Sequence, residues 1–121
     1  MKQEKQIKEL KGLFPLSHNI KIYIPSTFDI NQKISTKKYV KKTLSVFSKQ
    51  FGGATSYQAK GAWTSANKGL IVENITIVES FATTKQVKRS MQAILQYAIE
   101  LKKELKQEAI SLEYNNKLYF I

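Results

Sequence analysis

Glycines divide the middle of this chain into the end of a helix and a hairpin, and this division constrains the fold more than any other feature. Gly52 and Gly53 follow a helical pattern, and Gly61 and Gly69 interrupt two extended, largely apolar stretches that come after it. Glycine is favoured where a backbone turns or approaches another backbone closely. The segment therefore predicts a helix that ends near Gly52 and an antiparallel hairpin that turns near Gly69.

The flanking segments predict the remaining elements. Residues 20–24 alternate isoleucine with Lys21 and Tyr23, which is typical of a half-buried strand. Apolar residues recur at helical spacing over residues 40–51 and again over residues 85–107. The C-terminal segment predicts a second hairpin that turns at Asn115-Asn116. The order strand, helix, strand, strand, helix, strand predicts an α+β, ferredoxin-like antiparallel sheet with both helices on one face, plus an extra C-terminal strand.

Two details of this prediction stay open at the level of sequence. Ser35 or Thr36 is expected to cap the first helix, and Thr83 or Thr84 the second, because hydroxyl side chains accept hydrogen bonds from free helix amides. In residues 70–79, Ile71, Ile75 and Ile77 share their parity with Glu73 and Glu79. Either a bulge near residues 73–74 resets the register, or a glutamate faces inward.

Length and composition favour one domain. The chain has 121 residues, of which 42% are hydrophobic, and this is enough for one continuous core. Residues 1–19 are expected to form a helical or flexible extension, and residues 20–121 a single ferredoxin-like domain. With no long apolar run and no signal-peptide pattern, we expect a cytoplasmic protein without a membrane partner.

Charge is the strongest compositional signal. Twenty Lys and Arg residues stand against nine Asp and Glu residues, for a formal net charge of +11. The positive electrostatic field of such a chain attracts polyanions such as nucleic acids. Because every basic residue except Arg89 is a lysine, contacts to backbone phosphates are favoured over recognition of base edges. A lysine-rich surface that is merely solvated is the alternative. The candidate nucleic-acid-binding residues are Lys37, Lys38, Lys41, Lys42, Lys49, Lys60, Lys85, Lys88 and Arg89.

One combination of residues resembles a known family. The combination is Gly52, Gly53, Thr55, Gly61, Trp63, Gly69 and Glu73. It is similar to a signature of small, functionally uncharacterised proteins found in bacteria, archaea, plasmids and phages. The resemblance implies a mobile-element origin and supports the fold, and it carries over no catalytic residue.

The chain lacks the usual sets of reactive side chains. It has no cysteine and a single histidine, His18, which excludes disulfides, thiolate sites and catalytic triads within one chain. No metal site, catalytic residue or cofactor is therefore predicted. Glu73 and Glu79 are expected to pair with lysines, although a general base is an alternative. Trp63 is expected in the core, with a base-stacking platform as the alternative.

These observations favour a non-enzymatic, mobile-element protein that binds DNA or RNA, as a homo-oligomer. The first alternative is a protein-interaction module, an inhibitor or accessory subunit with an acidic protein partner. The second is a small metal-independent nuclease that depends on Glu73 or Tyr57.

Overall fold

The computed structural model describes residues 7–28, 32–33 and 35–121, in an α+β arrangement. Its elements in chain order are β1 (His18–Pro25), β2 (Thr27–Phe28), β3 (Gln32–Lys33), α1 (Lys37–Phe51), β4 (Thr55–Ser65), β5 (Gly69–Ala82), α2 (Thr84–Glu104), β6 (Ser111–Tyr114) and β7 (Lys117–Phe120). β2 and β3 pair with each other as a separate two-stranded sheet. In the described part of the chain, neither helix is long and apolar enough to cross a membrane.

The main sheet confirms the predicted ferredoxin-like fold. Its five antiparallel strands lie in the order β4-β5-β1-β6-β7, in which the first four follow the ferredoxin-like order and β7 is the extra strand. Both helices cover one face, because Ile20, Ile22 and Ile24 of β1 are fully buried in one core with Phe47 of α1 and Ile94 of α2. We call the other side, towards which Lys21 and Tyr23 point, the open face.

The helix ends follow the sequence only in part. Thr83 caps α2 with a full capping box, since its hydroxyl accepts from the Gln86 amide and the Gln86 side chain accepts from the Thr83 amide. Gly52 ends α1 with φ of 90°, in the left-handed region that glycine favours. Thr36 occupies the N-cap position just before α1, but its side chain accepts no hydrogen bond there, so the expected cap is wrong.

The pairing of β4 with β5 settles the register of the glutamates. The pairing runs without interruption from Ser65 opposite Gly69 to Thr55 opposite Glu79, and therefore leaves no bulge. Glu73 and Glu79 consequently share the open face with the isoleucines between them. Because β1 pairs with β5 only from Ile75 onwards, residues 60–65 and 69–74 extend past β1 as a two-stranded ribbon.

The structure differs from the predicted helices in two places, the N-terminal extension and the C-terminal end of α2. Within the described residues of the extension, helix is limited to one 3-10 turn at Lys8–Leu10, and Phe14 beyond it is exposed. Residues 1–6 lie outside the described residues. At the other end, α2 stops at Glu104, and Gln107 donates a hydrogen bond to the Thr27 carbonyl at 3.0 Å. This contact turns the chain back towards the end of β1 and brings Gln107 to the cleft described next.

Candidate ligand cleft on the open face

A cleft of about 440 Å³ lies on the open face where β1 ends. Small-molecule sites typically enclose 300 to 1,000 Å³, so the volume suits a ligand of nucleoside size. The ribbon contributes one side of the cleft, and the segment around β6 and β7 contributes the other. The lining residues are Tyr23, Pro25, Gly61, Ala62, Trp63, Glu73, Ile75, Gln107, Ala109, Ile110, Ser111 and Phe120.

Carboxylates collect on this face although the chain is strongly basic. Glu73, Glu79 and Glu113 all belong to it, and they are three of the nine acidic residues in the sequence. The Lys21 ammonium lies between two of them, with Nζ 3.9 Å from Glu79 Oε2 and 3.6 Å from Glu113 Oε2. The Tyr23 hydroxyl donates to Glu113 Oε1 at 2.7 Å. Glu79 and Glu113 are therefore already occupied by partners.

The groups that hold these carboxylates keep their own protons. Desolvation acts to lower the pKa of Lys21, but Glu113, Tyr57 and Glu79 together outweigh it, and the pKa lies above its ordinary value. The hydrogen bond to Glu113, followed by burial, raises the pKa of Tyr23 above its ordinary value. At neutral pH Lys21 is therefore cationic and Tyr23 is neutral, so neither serves as a base.

Glu73 differs from the other two carboxylates. It is half-buried, it lines the cleft, and among the described residues it has neither a hydrogen bond nor an ion pair. The predicted pairing with a lysine is thus wrong for Glu73, whereas for Glu79 it is confirmed by Lys21. An unpaired carboxylate in a cleft with aromatic side chains is suited to binding a cation.

Trp63 is not a core residue, contrary to the preferred prediction. Its side chain is 53% exposed, and it lines the cleft on the ribbon. The ribbon extends past β1, so no neighbouring strand covers Trp63 from the side. The alternative, an exposed aromatic platform, describes its position better.

The residues of the family signature divide between two places. Gly61, Trp63 and Glu73 meet in the cleft, where Gly61 is directly opposite Glu73 in the ladder. Gly52, Gly53 and Thr55 line a separate depression at the other end of β4, and Gly69 forms the ribbon turn with φ of 72°. The sequence analysis did not assign Gln107, Ser111 or Phe120 to a site; no local pattern marks them.

The predicted basic residues do not form one surface. Lys37, Lys38, Lys41 and Lys42 begin α1, whereas Lys85, Lys88 and Arg89 begin α2 beside the opposite end of α1, roughly 20 Å away at 1.5 Å per residue. Arg89 donates to the Gln50 carbonyl at 3.2 Å and so satisfies the C-terminus of α1. Lys42 lies 3.9 Å from Glu104, Lys49 is in the last turn of α1, and Lys60 is on β4.

Comparisons with known proteins identify the fold. No protein-family model matches the chain, and no curated protein matches it either. Two solved structures of a phage SAM lyase share its fold at 19% sequence identity. The apo structure has a TM-score of 0.60 over 86% of this chain and 87% of that chain. The complex with S-methyl-5′-thioadenosine has a TM-score of 0.59 over 86% and 88%.

This finding corrects the predicted function. The prediction of a non-enzymatic protein that binds nucleic acid through lysines is wrong, because the two solved structures reported above as sharing this fold are those of an enzyme. The predicted lysines are also dispersed, and the cleft is lined by one carboxylate, Glu73, and by aromatic side chains instead. Within the described residues, no group of three or more His, Cys, Asp or Glu side chains is placed to hold a metal ion. The family resemblance and the homo-oligomer stay predictions.

Proposed function

We propose that this protein is a lyase that binds S-adenosylmethionine in the open-face cleft and releases S-methyl-5′-thioadenosine. The observation that carries the proposal is the unpaired carboxylate of Glu73 in an aromatic cleft of a chain with net charge +11. S-adenosylmethionine is a sulfonium cation attached to a nucleoside, so a carboxylate and an aromatic ring suit its two ends. The fold shared with a phage SAM lyase supports the same assignment.

The products define which bond breaks. S-methyl-5′-thioadenosine keeps the methyl group and the 5′ carbon on sulfur, so the bond from sulfur to the γ carbon of the methionine part is cleaved. Both electrons of that bond stay on sulfur, which becomes a neutral thioether. As this bond breaks, the γ carbon either accepts an electron pair from the carboxylate oxygen of the same molecule, giving a lactone, or forms a double bond to the β carbon with the electrons of a C–H bond whose proton a base removes. The two four-carbon products are isomers, and neither route needs a co-reactant.

The cleft suits the first route better. Ring closure joins the substrate's own carboxylate to the carbon that is bonded to the sulfonium, so both charges disappear during the reaction. Apolar surroundings therefore favour the less charged transition state over the charged substrate. Trp63, Ile75 and Phe120 supply such surroundings. Tyr23 and Lys21 hold their protons and keep Glu113 and Glu79 in place, so they act as positioning groups. Glu73 binds the cation, and since the cation is neutralised during cleavage, this interaction favours substrate binding over the transition state.

The test is release of S-methyl-5′-thioadenosine from S-adenosylmethionine, followed by liquid chromatography and mass spectrometry. We expect turnover by the wild type and a roughly tenfold higher KM for Glu73→Gln without a fall in kcat, because the lost interaction is stronger in the substrate complex than in the transition state. Glu100→Gln makes the same charge change on the exposed side of α2 and should leave both constants unchanged. A fall in kcat alone would indicate that Glu73 is the base of the elimination route. No release by the wild type would refute the proposal.

A further inference from the structure

Gly61 lacks the structural reasons that usually explain a glycine inside a strand. Its φ is not positive, unlike those of Gly12, Gly52 and Gly69. The ladder on both sides of it is continuous, so it does not form a bulge. A Cβ atom at Gly61 would meet only Glu73 Cγ, at 3.9 Å, which is an ordinary contact.

A glycine in this position weakens the strand. Its flexible backbone loses more conformational entropy on folding than that of other residues, and it contributes no side chain to the packing of the sheet. When bulges, positive φ and close backbone contacts are excluded, the remaining reason is a ligand that approaches the backbone closely. Gly61 lines the cleft, it is opposite the unpaired Glu73, and Trp63 follows two residues later on the same face.

We propose that Gly61 is the position where the sulfur-bearing part of the substrate lies against the backbone, in contact with Glu73, with the adenine base directed towards Trp63. The inference rests on the proposed function and assigns the orientation of the substrate in its cleft. Residues two apart on one face of a strand are separated by roughly 6.6 Å. This is comparable to the distance from the sulfur of a thioadenosine to its base.

The proposal predicts that a side chain at Gly61 improves the strand and blocks the ligand. Gly61→Val adds a β-branched residue with good strand propensity, so the thermal midpoint should rise by a few degrees. The same substitution should weaken binding of S-methyl-5′-thioadenosine at least tenfold in calorimetry. Trp63 is the single tryptophan of the chain, and its fluorescence reports on the ligand in the same samples. Gly61→Ala should give a smaller effect in the same direction.

Ala59→Val is the matched control, because Ala59 is on the same face two residues earlier and does not line the cleft. It should leave the affinity unchanged. If wild type releases S-methyl-5′-thioadenosine and Gly61→Val binds it equally well, the orientation is wrong and the proposed function stands. If Gly61→Val and Gly61→Ala both lower the thermal midpoint, Gly61 has a structural role and the inference fails. If wild type neither releases nor binds the nucleoside, both proposals fail.

Discussion

Glu73→Gln should separate the binding of a charged substrate from the binding of its neutral product. S-adenosylmethionine carries the sulfonium charge and S-methyl-5′-thioadenosine does not, while the nucleoside part is the same. A carboxylate that faces the sulfur contributes to the binding of the first and little to the second. The amide of glutamine keeps the size of the side chain and removes its charge, so the two ligands serve as each other's control.

The expected magnitude follows from the position of Gly61. A Cβ at this residue would be 3.9 Å from Glu73 Cγ, so a sulfur lying there is about 5 Å from the carboxylate oxygens. Two unit charges at about 5 Å attract by roughly 3 kcal/mol at an effective dielectric constant of about 20. Glu73 is only half-buried, and screening by water reduces this to about 1.4 kcal/mol, or roughly a tenfold change in affinity.

The assay is isothermal titration of wild type and Glu73→Gln with each ligand at low ionic strength. To prevent turnover, S-adenosylmethionine is titrated at low temperature and its integrity is checked after each run. We expect roughly tenfold weaker binding of S-adenosylmethionine and an unchanged affinity for S-methyl-5′-thioadenosine. Equal weakening of both ligands, or of neither, would refute the placement of the sulfonium beside Glu73.

Two further predictions concern stability. Thr83→Ala removes the capping box of α2 and should lower the free energy of unfolding by about 1 kcal/mol, whereas Thr36→Ala should change it by only a few tenths, because Thr36 accepts no hydrogen bond; urea denaturation measures both. The raised pKa of Tyr23 means that the folded state holds this proton more tightly than the unfolded state. Its contribution is complete below the ordinary value of 10.0 and is lost as the pH rises through the folded pKa. Tyr23→Phe should therefore flatten the alkaline loss of stability, as measured by urea denaturation over this pH range.

The fold was predictable because its signals are local. The alternation in β1, the apolar stripes of both helices and the asparagine turn each depend on residues close together in the chain. Asn115 and Asn116 have φ of 48° and 68°, as the predicted tight turn requires. The capping box at Thr83 likewise involves residues three apart.

The cleft was not predictable because it depends on which face of the sheet stays uncovered. The sequence places Trp63, Gly61 and Tyr57 on one face of β4, and it places isoleucines with Glu73 on β5, which resembles a buried surface. Only the pairing of β1 with β5 shows that the helices cover the opposite side. Phe120 then reaches the cleft through β6 and β7, about one hundred residues after β1.

Net charge was misleading for a related reason. Composition counts the lysines but does not locate them. The structure places the two predicted basic patches at the starts of separate helices, while three carboxylates share the open face. A basic chain can therefore present a cleft whose one charged lining residue is a carboxylate. This arrangement favours a small cationic ligand over a polyanion.

The most direct test of the account is an NMR titration of the ¹⁵N-labelled wild-type protein with S-methyl-5′-thioadenosine. The proposed site predicts that the largest shifts occur at the amides of Gly61 and Glu73 and at the indole N–H of Trp63. The amides of Gly52 and Thr55, in the separate depression at the other end of β4, should stay unchanged. Shifts centred on Gly52 and Thr55, or the absence of shifts at millimolar nucleoside, would contradict the assignment of the cleft.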